Sequence, residues 1–98
     1  MTIQEVKAQL ISATHPVARA LHKSGHFKVL VIGFNEGMVL KEHKANLPTK
    51  LTVLEGKVVY READKSIALY QYEEVQIPVN IIHEVEAMES SLCLLTQG

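Results

Sequence analysis

From Phe27 to Thr96 the chain repeats one pattern, short runs rich in Val, Ile, Leu and Tyr, with turn signals and no helical segment between them. The runs are Phe27–Phe34, Met38–His43, Lys50–Leu54, Lys57–Arg61, Ser66–Tyr70, Glu74–Ile77, Ile81–Glu86 and Leu92–Thr96. Asn35-Glu36-Gly37 and Glu55-Gly56 predict tight hairpin turns in which glycine takes the positive φ that other residues resist. Ala63-Asp64-Lys65 predicts another turn. Strands that follow one another without helical crossovers pair mainly antiparallel. The pattern therefore predicts an all-β fold, a closed barrel or a two-sheet sandwich.

Residues 1–25 read differently. Thr2-Ile3-Gln4-Glu5 has the spacing of a capping box, and Ile3, Val6 and Leu10 follow at helical intervals. This predicts a helix whose apolar face lies against the barrel. Thr14-His15-Pro16 breaks it, and Pro16 suits the first turn of a second helix carrying Val17, Ala20 and Leu21 to a stop at Ser24-Gly25. The reading is one domain over 1–98, with a helical N-terminal segment over 1–25 and a β-barrel over 26–98. With 47% hydrophobic residues but only 5% aromatic and no Trp, the core must come from Val, Ile, Leu and Ala, which favours a sheet-rich interior.

Composition excludes several partners. A net charge of −1, with both signs evenly mixed, gives no basic stripe for nucleic acid. The single cysteine, Cys93, allows no intrachain disulfide; within Leu92–Leu95 it reads as a small buried hydrophobe, in keeping with a reducing compartment. The first residues lack the pattern of a secretory signal, and no apolar run reaches the ~18 residues of a membrane span. These features predict a soluble cytoplasmic protein. No nucleophile elbow, phosphate loop or dinucleotide fingerprint is present.

Gly37, His43 and Gly56 keep the spacing of the first motif of the cupin family, and Thr52–Gly56 is the stretch most similar to it. Ala45 and Thr49 occupy the places of that motif's second histidine and glutamate. Pro78 and His83 match the second motif, with Tyr72, Asn80 and Ala87 where it has glycine, glycine and asparagine. The chain from Phe27 to Thr96 thus resembles a small cupin whose metal-binding motifs are degenerate. The resemblance implies an antiparallel cupin barrel, a double-stranded β-helix or jelly roll, and a homodimer.

Strand alternation supports the same placement. Ile81, His83, Val85 and Ala87 share one face, opposite Ile82, Glu84 and Glu86. Lys41, His43 and Ala45 share another, opposite Glu42 and Lys44. His43, His83, Lys41, Ala45 and Thr49 are therefore the candidate pocket residues. Cupins that bind metal use three imidazoles and a carboxylate, a set suited to Fe, Ni, Mn, Zn or Cu. Here the resemblance leaves only His43 and His83 as ligands. Ala45 has no lone pair, and Thr49 brings only a neutral hydroxyl.

Three functions follow. The leading one is a small-molecule-binding or sensing barrel with both histidines in its pocket and no tightly bound metal. The second is a metal-dependent dioxygenase or isomerase with the same histidines as ligands and an unrecognised third donor. The third is a structural or interaction module whose barrel is filled by side chains. Lys41 reads as a residue of the barrel mouth. His15, His22 and His26 form no chelating pair, and Tyr60, Tyr70 and Tyr72 read as core or rim residues.

Overall fold

The computed structural model of the chain describes the backbone of residues 1–98 and the side chains of all of them except Glu42 and His43. The described residues form a helix, α1 (Thr2–Leu10), and nine strands. The strands are β1 (Val17–Ser24), β2 (Phe27–Phe34), β3 (Val39–His43), β4 (Thr49–Glu55), β5 (Val58–Glu62), β6 (Lys65–Leu69), β7 (Glu74–Ile77), β8 (His83–Ala87) and β9 (Ser91–Gln97). They build a large sheet of order β1-β2-β9-β4-β7 and a small sheet of order β3-β8-β5-β6, every pairing antiparallel. The eight runs expected from Phe27 onward are β2 to β9, each within two residues of its expected ends.

The two sheets close on each other because their strands alternate. Thr49, Leu51 and Val53 of β4, Val58 and Tyr60 of β5, Val75 and Ile77 of β7, and His83, Val85 and Ala87 of β8 are all buried. Ile32 and Phe34 of β2 and Cys93 of β9 complete the interior from the large sheet. Burial pushes the Cys93 thiol up to about 12, so it stays protonated and unreactive at neutral pH, as a small hydrophobe should.

Helix α1 covers the outer face of the large sheet. Val6 is fully buried with Val31 and Leu92, flanked by Ile3, Leu10 and Leu94, so the expected apolar face does the packing. Gly33 of β2 makes room for it: a Cβ there would stand 2.6 Å from Leu10 Cδ1 and 2.7 Å from Val6 Cγ1. The expected capping box does not form. The helix starts one residue earlier, with Met1 as N-cap and no side-chain cap, and Glu5 instead pairs with the Met1 ammonium at 3.2 Å. Among the described residues, no helix is long and apolar enough to cross a membrane.

The second helix expected after Pro16 is a strand. Residues 17–24 pair with β2 from Val17 opposite Gly33 to Ser24 opposite Phe27, and Gly25, at φ +57, opens a two-residue hairpin turn rather than ending a helix. The helical segment is therefore 2–10, not 1–25. Three apolar residues over five positions are a weak helical signal, and the hydrogen-bond ladder offered by β2 overrides it.

Gly37 and Gly56 have the positive φ expected of them, +85 and +87. Tyr72 and Asn80, which stand in the glycine places of the second motif, keep that left-handed backbone as well, at φ +69 and +63. Tyr72 is 75% exposed, so its ring has little packing to lose. Tyr72→Gly is expected to stabilise the domain by about 0.5 kcal/mol, since relief of ~1–2 kcal/mol of left-handed cost exceeds the added freedom of the unfolded chain. Urea unfolding checks the sign; a loss of stability would mean that the ring packs more than its exposure suggests.

Candidate ligand site at the mouth of the small sheet

β8 begins at His83, immediately after the loop that follows Pro78. Asn80, in its left-handed conformation, turns that loop back so that its N–H donates to the Ala45 carbonyl at 2.8 Å, tying it to the β3–β4 loop. The tie sets one lip of the mouth. Ala45 is buried, and its contribution there is the backbone carbonyl.

His83 is 3% exposed. Its Nδ1 lies 3.0 Å from the Ile81 carbonyl, which can only accept, so Nδ1 carries a proton and donates it there. The face shared by His83, Val85 and Ala87 is as expected from alternation, with Glu84 and Glu86 opposite and bound to Arg61 at 3.3 and 2.9 Å. Ile81, expected on the inner face, lies in the preceding loop and is 38% exposed.

β3 brings position 43 directly opposite His83. The side chain of His43, the other expected pocket and metal residue, lies outside the described residues, as does that of Glu42. Lys41 is not on His83's face. An extra residue in β3 between Leu40 and His43 shifts the register, so Met38 and Leu40 pack on the interior and Lys41 is exposed. Thr49 is buried on the inner face of β4, but its hydroxyl donates to the Leu47 carbonyl at 2.9 Å and accepts from Gln97 Nε2 at 3.1 Å. It also lines a different recess, of about 320 Å³, with Phe27, Gln76 and Gln97.

Two residues that sequence reasoning did not assign to the site stand beside His83. Tyr60, fully buried, places its ring centroid 5.8 Å from that of the imidazole. Its hydroxyl donates to Glu62 Oε2. Burial raises the phenol above its ordinary value, and the hydrogen bond and charge of Glu62 raise it further. Glu62 closes the series Val58, Tyr60, Glu62 on one face of β5 and sits opposite His83 in register. The signal that finds it is this alternation, extended one residue beyond the expected strand end at Arg61.

Glu62, His83, Arg61, Ala63, Ile82 and Glu84 line a cavity of about 180 Å³. A second recess of about 420 Å³ shares Ala63 and Ile82 with it and reaches Lys44 and Asn80. A further hollow, of about 280 Å³, lies between α1 and the start of β9; its charged pair, Lys7 and Glu55, is half exposed, and its buried polar residue, Ser91, spends its hydroxyl on the Lys57 and Glu89 backbone, which leaves the His83 cavity the better candidate.

The metal donor set is short. Ala45 has no side-chain donor, the Thr49 hydroxyl is engaged, and no group of three metal-ligating side chains exists among the described residues. The cavity's carboxylates, Glu62 and Glu84, already hold the Tyr60 hydroxyl and Arg61, so a tightly held divalent ion is a poor fit to the described donors.

No protein-family model matches the chain, and no curated protein matches it in sequence. Solved structures do match. A cupin superfamily protein from Desulfitobacterium hafniense aligns with a TM-score of 0.81 at 22% identity, over 94% of this chain and 86% of that one. An RmlC-like cupin from Desulfovibrio desulfuricans aligns with a TM-score of 0.79 at 25% identity, over 91% and 92%. A cupin-2 domain containing protein from Shewanella frigidimarina gives 0.76 at 15% identity, over 98% and 91%. The sheet order, the left-handed backbone kept at Tyr72 and Asn80, and these alignments over nearly the whole length identify the chain as a small domain of the cupin fold.

Proposed function

We propose that this cupin domain is a small-molecule-binding or sensing barrel, with its site at the mouth around His83. The observation that carries the reading is a buried imidazole, oriented by the Ile81 carbonyl, on the wall of an open cavity that it shares with a carboxylate. Convergent polar groups on a cavity wall, here His83 and Glu62 with Ala63 and Ile82 beside them, fix a ligand's orientation. An open cavity beside a buried polar ring favours binding over a purely structural module.

The metal-enzyme reading has one observation in its favour: Nδ1 bonded to a carbonyl is how a metal-ligating histidine is commonly oriented, and position 43 lies opposite. Ala45, which has no side-chain donor, and the engaged Thr49 hydroxyl stand against it. Protein prepared without chelator is expected to carry well under one transition-metal ion per chain by elemental analysis; a full equivalent would make the enzyme reading the better one.

A fragment screen by amide NMR tests the binding reading. Hits are expected to shift Glu62, Ala63, Ile82 and His83 together, and His83→Phe, which removes the polar ring nitrogens from the cavity wall, is expected to weaken those shifts while the fold persists. Hits that leave this group unmoved would overturn it. We also place the protein in the cytoplasm, in keeping with its one buried thiol, and as a homodimer. Supporting the dimer, β1 is exposed along most of its length at the edge of the large sheet, with Leu21 and Phe27 nearly half exposed. Light scattering in solution gives the mass that decides it.

A further inference from the structure

We propose that the mouth of this barrel takes a small organic cation, a primary amine or amidine on a compact apolar body, anchored by Glu62. The proposal rests on the binding reading above and adds to it the class of ligand and the residue that selects it.

The Glu62 side chain is 15% exposed, and a carboxylate removed that far from water needs compensation. Among the described residues it has one neutral donor, the Tyr60 hydroxyl on Oε2, and the Lys65 ammonium 3.8 Å from Oε1. That ammonium is beyond hydrogen-bonding distance, and its side chain is 53% exposed. A carboxylate accepts about four hydrogen bonds. The other cation of the cavity wall is already spent: Arg61 pairs with Glu84 and Glu86. Among the described side chains, the Glu62 side of the cavity is therefore negative and under-supplied with donors. An N–H-bearing cation meets both needs, through the charge-assisted hydrogen bonds that carboxylates favour.

The walls choose an organic cation over a bare one. Ala63 and Ile82 form the side of the cavity, and Ile82 and Ile81 are 48% and 38% exposed at its lip. An apolar group on the ligand would cover them. Lys44, exposed at the far end of the adjoining recess, disfavours a second positive charge there, so a monoamine fits better than a diamine.

The test titrates the full-length chain with benzylamine and butylamine, and separately with benzoate, butyrate and zinc chloride, reading amide and side-chain NMR shifts. The amines are expected to shift Glu62, Ala63 and Ile82. Glu62→Gln, which keeps the shape and an acceptor for Tyr60, is expected to weaken them by about tenfold or more, the value of a charge-assisted bond. Lys65→Met removes the competing ammonium and is expected to strengthen amine binding, which keeps the test valid if Glu62→Gln folds poorly. Amines that bind Glu62→Gln as well as the parent, preference for the carboxylates, or shifts with zinc alone would overturn the proposal. Carboxylate binding at the same residues would do so while leaving the binding reading intact; screening hits that all miss His83 would end both.

Discussion

Gly56→Ala is expected to cost at least about 3 kcal/mol, enough to leave a domain of ordinary stability, ~5–15 kcal/mol, substantially weakened. Two effects combine. The backbone is left-handed at φ +87, which an L side chain resists by ~1–2 kcal/mol. The added Cβ would also stand 2.3 Å from the Ser90 carbonyl oxygen and 2.4 Å from Ser91 Oγ. Neither can step aside cheaply. Ser91 Oγ accepts the Lys57 N–H at 3.1 Å and donates to the Glu89 carbonyl at 2.8 Å, which clamps the start of β9 against the start of β5. Gly37→Ala is the control, since φ is similar, +85, but nothing lies within 4 Å of the new atom. It is expected to cost only the ~1–2 kcal/mol of left-handed strain. Equal losses in urea unfolding would show that the contact at Ser90 relaxes.

Tyr60→Ala is expected to cost about 3–5 kcal/mol, the range for deleting a fully buried aromatic ring. Tyr60→Phe keeps the ring against His83 but deprives Glu62 of its hydroxyl donor, and about 1–2 kcal/mol is expected. The pair of variants separates packing from polar support. pH gives a second readout. Because the folded phenol is raised above its unfolded value of 10.0, the native state holds the proton more tightly. That contribution is present in full below pH 10 and declines as pH rises beyond it. Tyr60→Phe should therefore lose less stability than the parent between neutral pH and strongly alkaline solution; parallel profiles would assign the effect to another group.

How much of this was legible in the sequence depends on whether local pattern or long-range pairing decides each feature. β2 to β9 were legible because apolar alternation and glycine turns are local, and the inward face of His83, Val85 and Ala87 follows from the same rule. The strand at 17–24 was hidden because its side chains are mostly exposed: with no buried face it shows no period-two pattern, and only the ladder with β2 defines it. Lys41 was misplaced by counting through β3, where the register shift before His43 breaks the count. Glu62 was passed over because it is charged and stands at a strand end, the usual mark of a solvent residue. Its burial comes from Tyr60 and from the strands beside it, none of which composition reveals. The degenerate motif, by contrast, was informative where it failed: Tyr72 and Asn80 replace glycines in sequence but preserve their backbone.

The strand order of the large sheet bears on how the molecule comes to exist. β9 follows all the other strands in the chain yet lies in the middle of that sheet, between β2 and β4. During synthesis, β2 and β4 therefore wait with open edges until Ser91–Gln97 emerges, and closing the sheet means joining residues as far apart in the chain as Lys28 and Gln97. Topologies dominated by such distant pairings fold slowly and expose aggregation-prone edges on the way. A chain released without its last strand would be left with two unsatisfied strand edges flanking a gap.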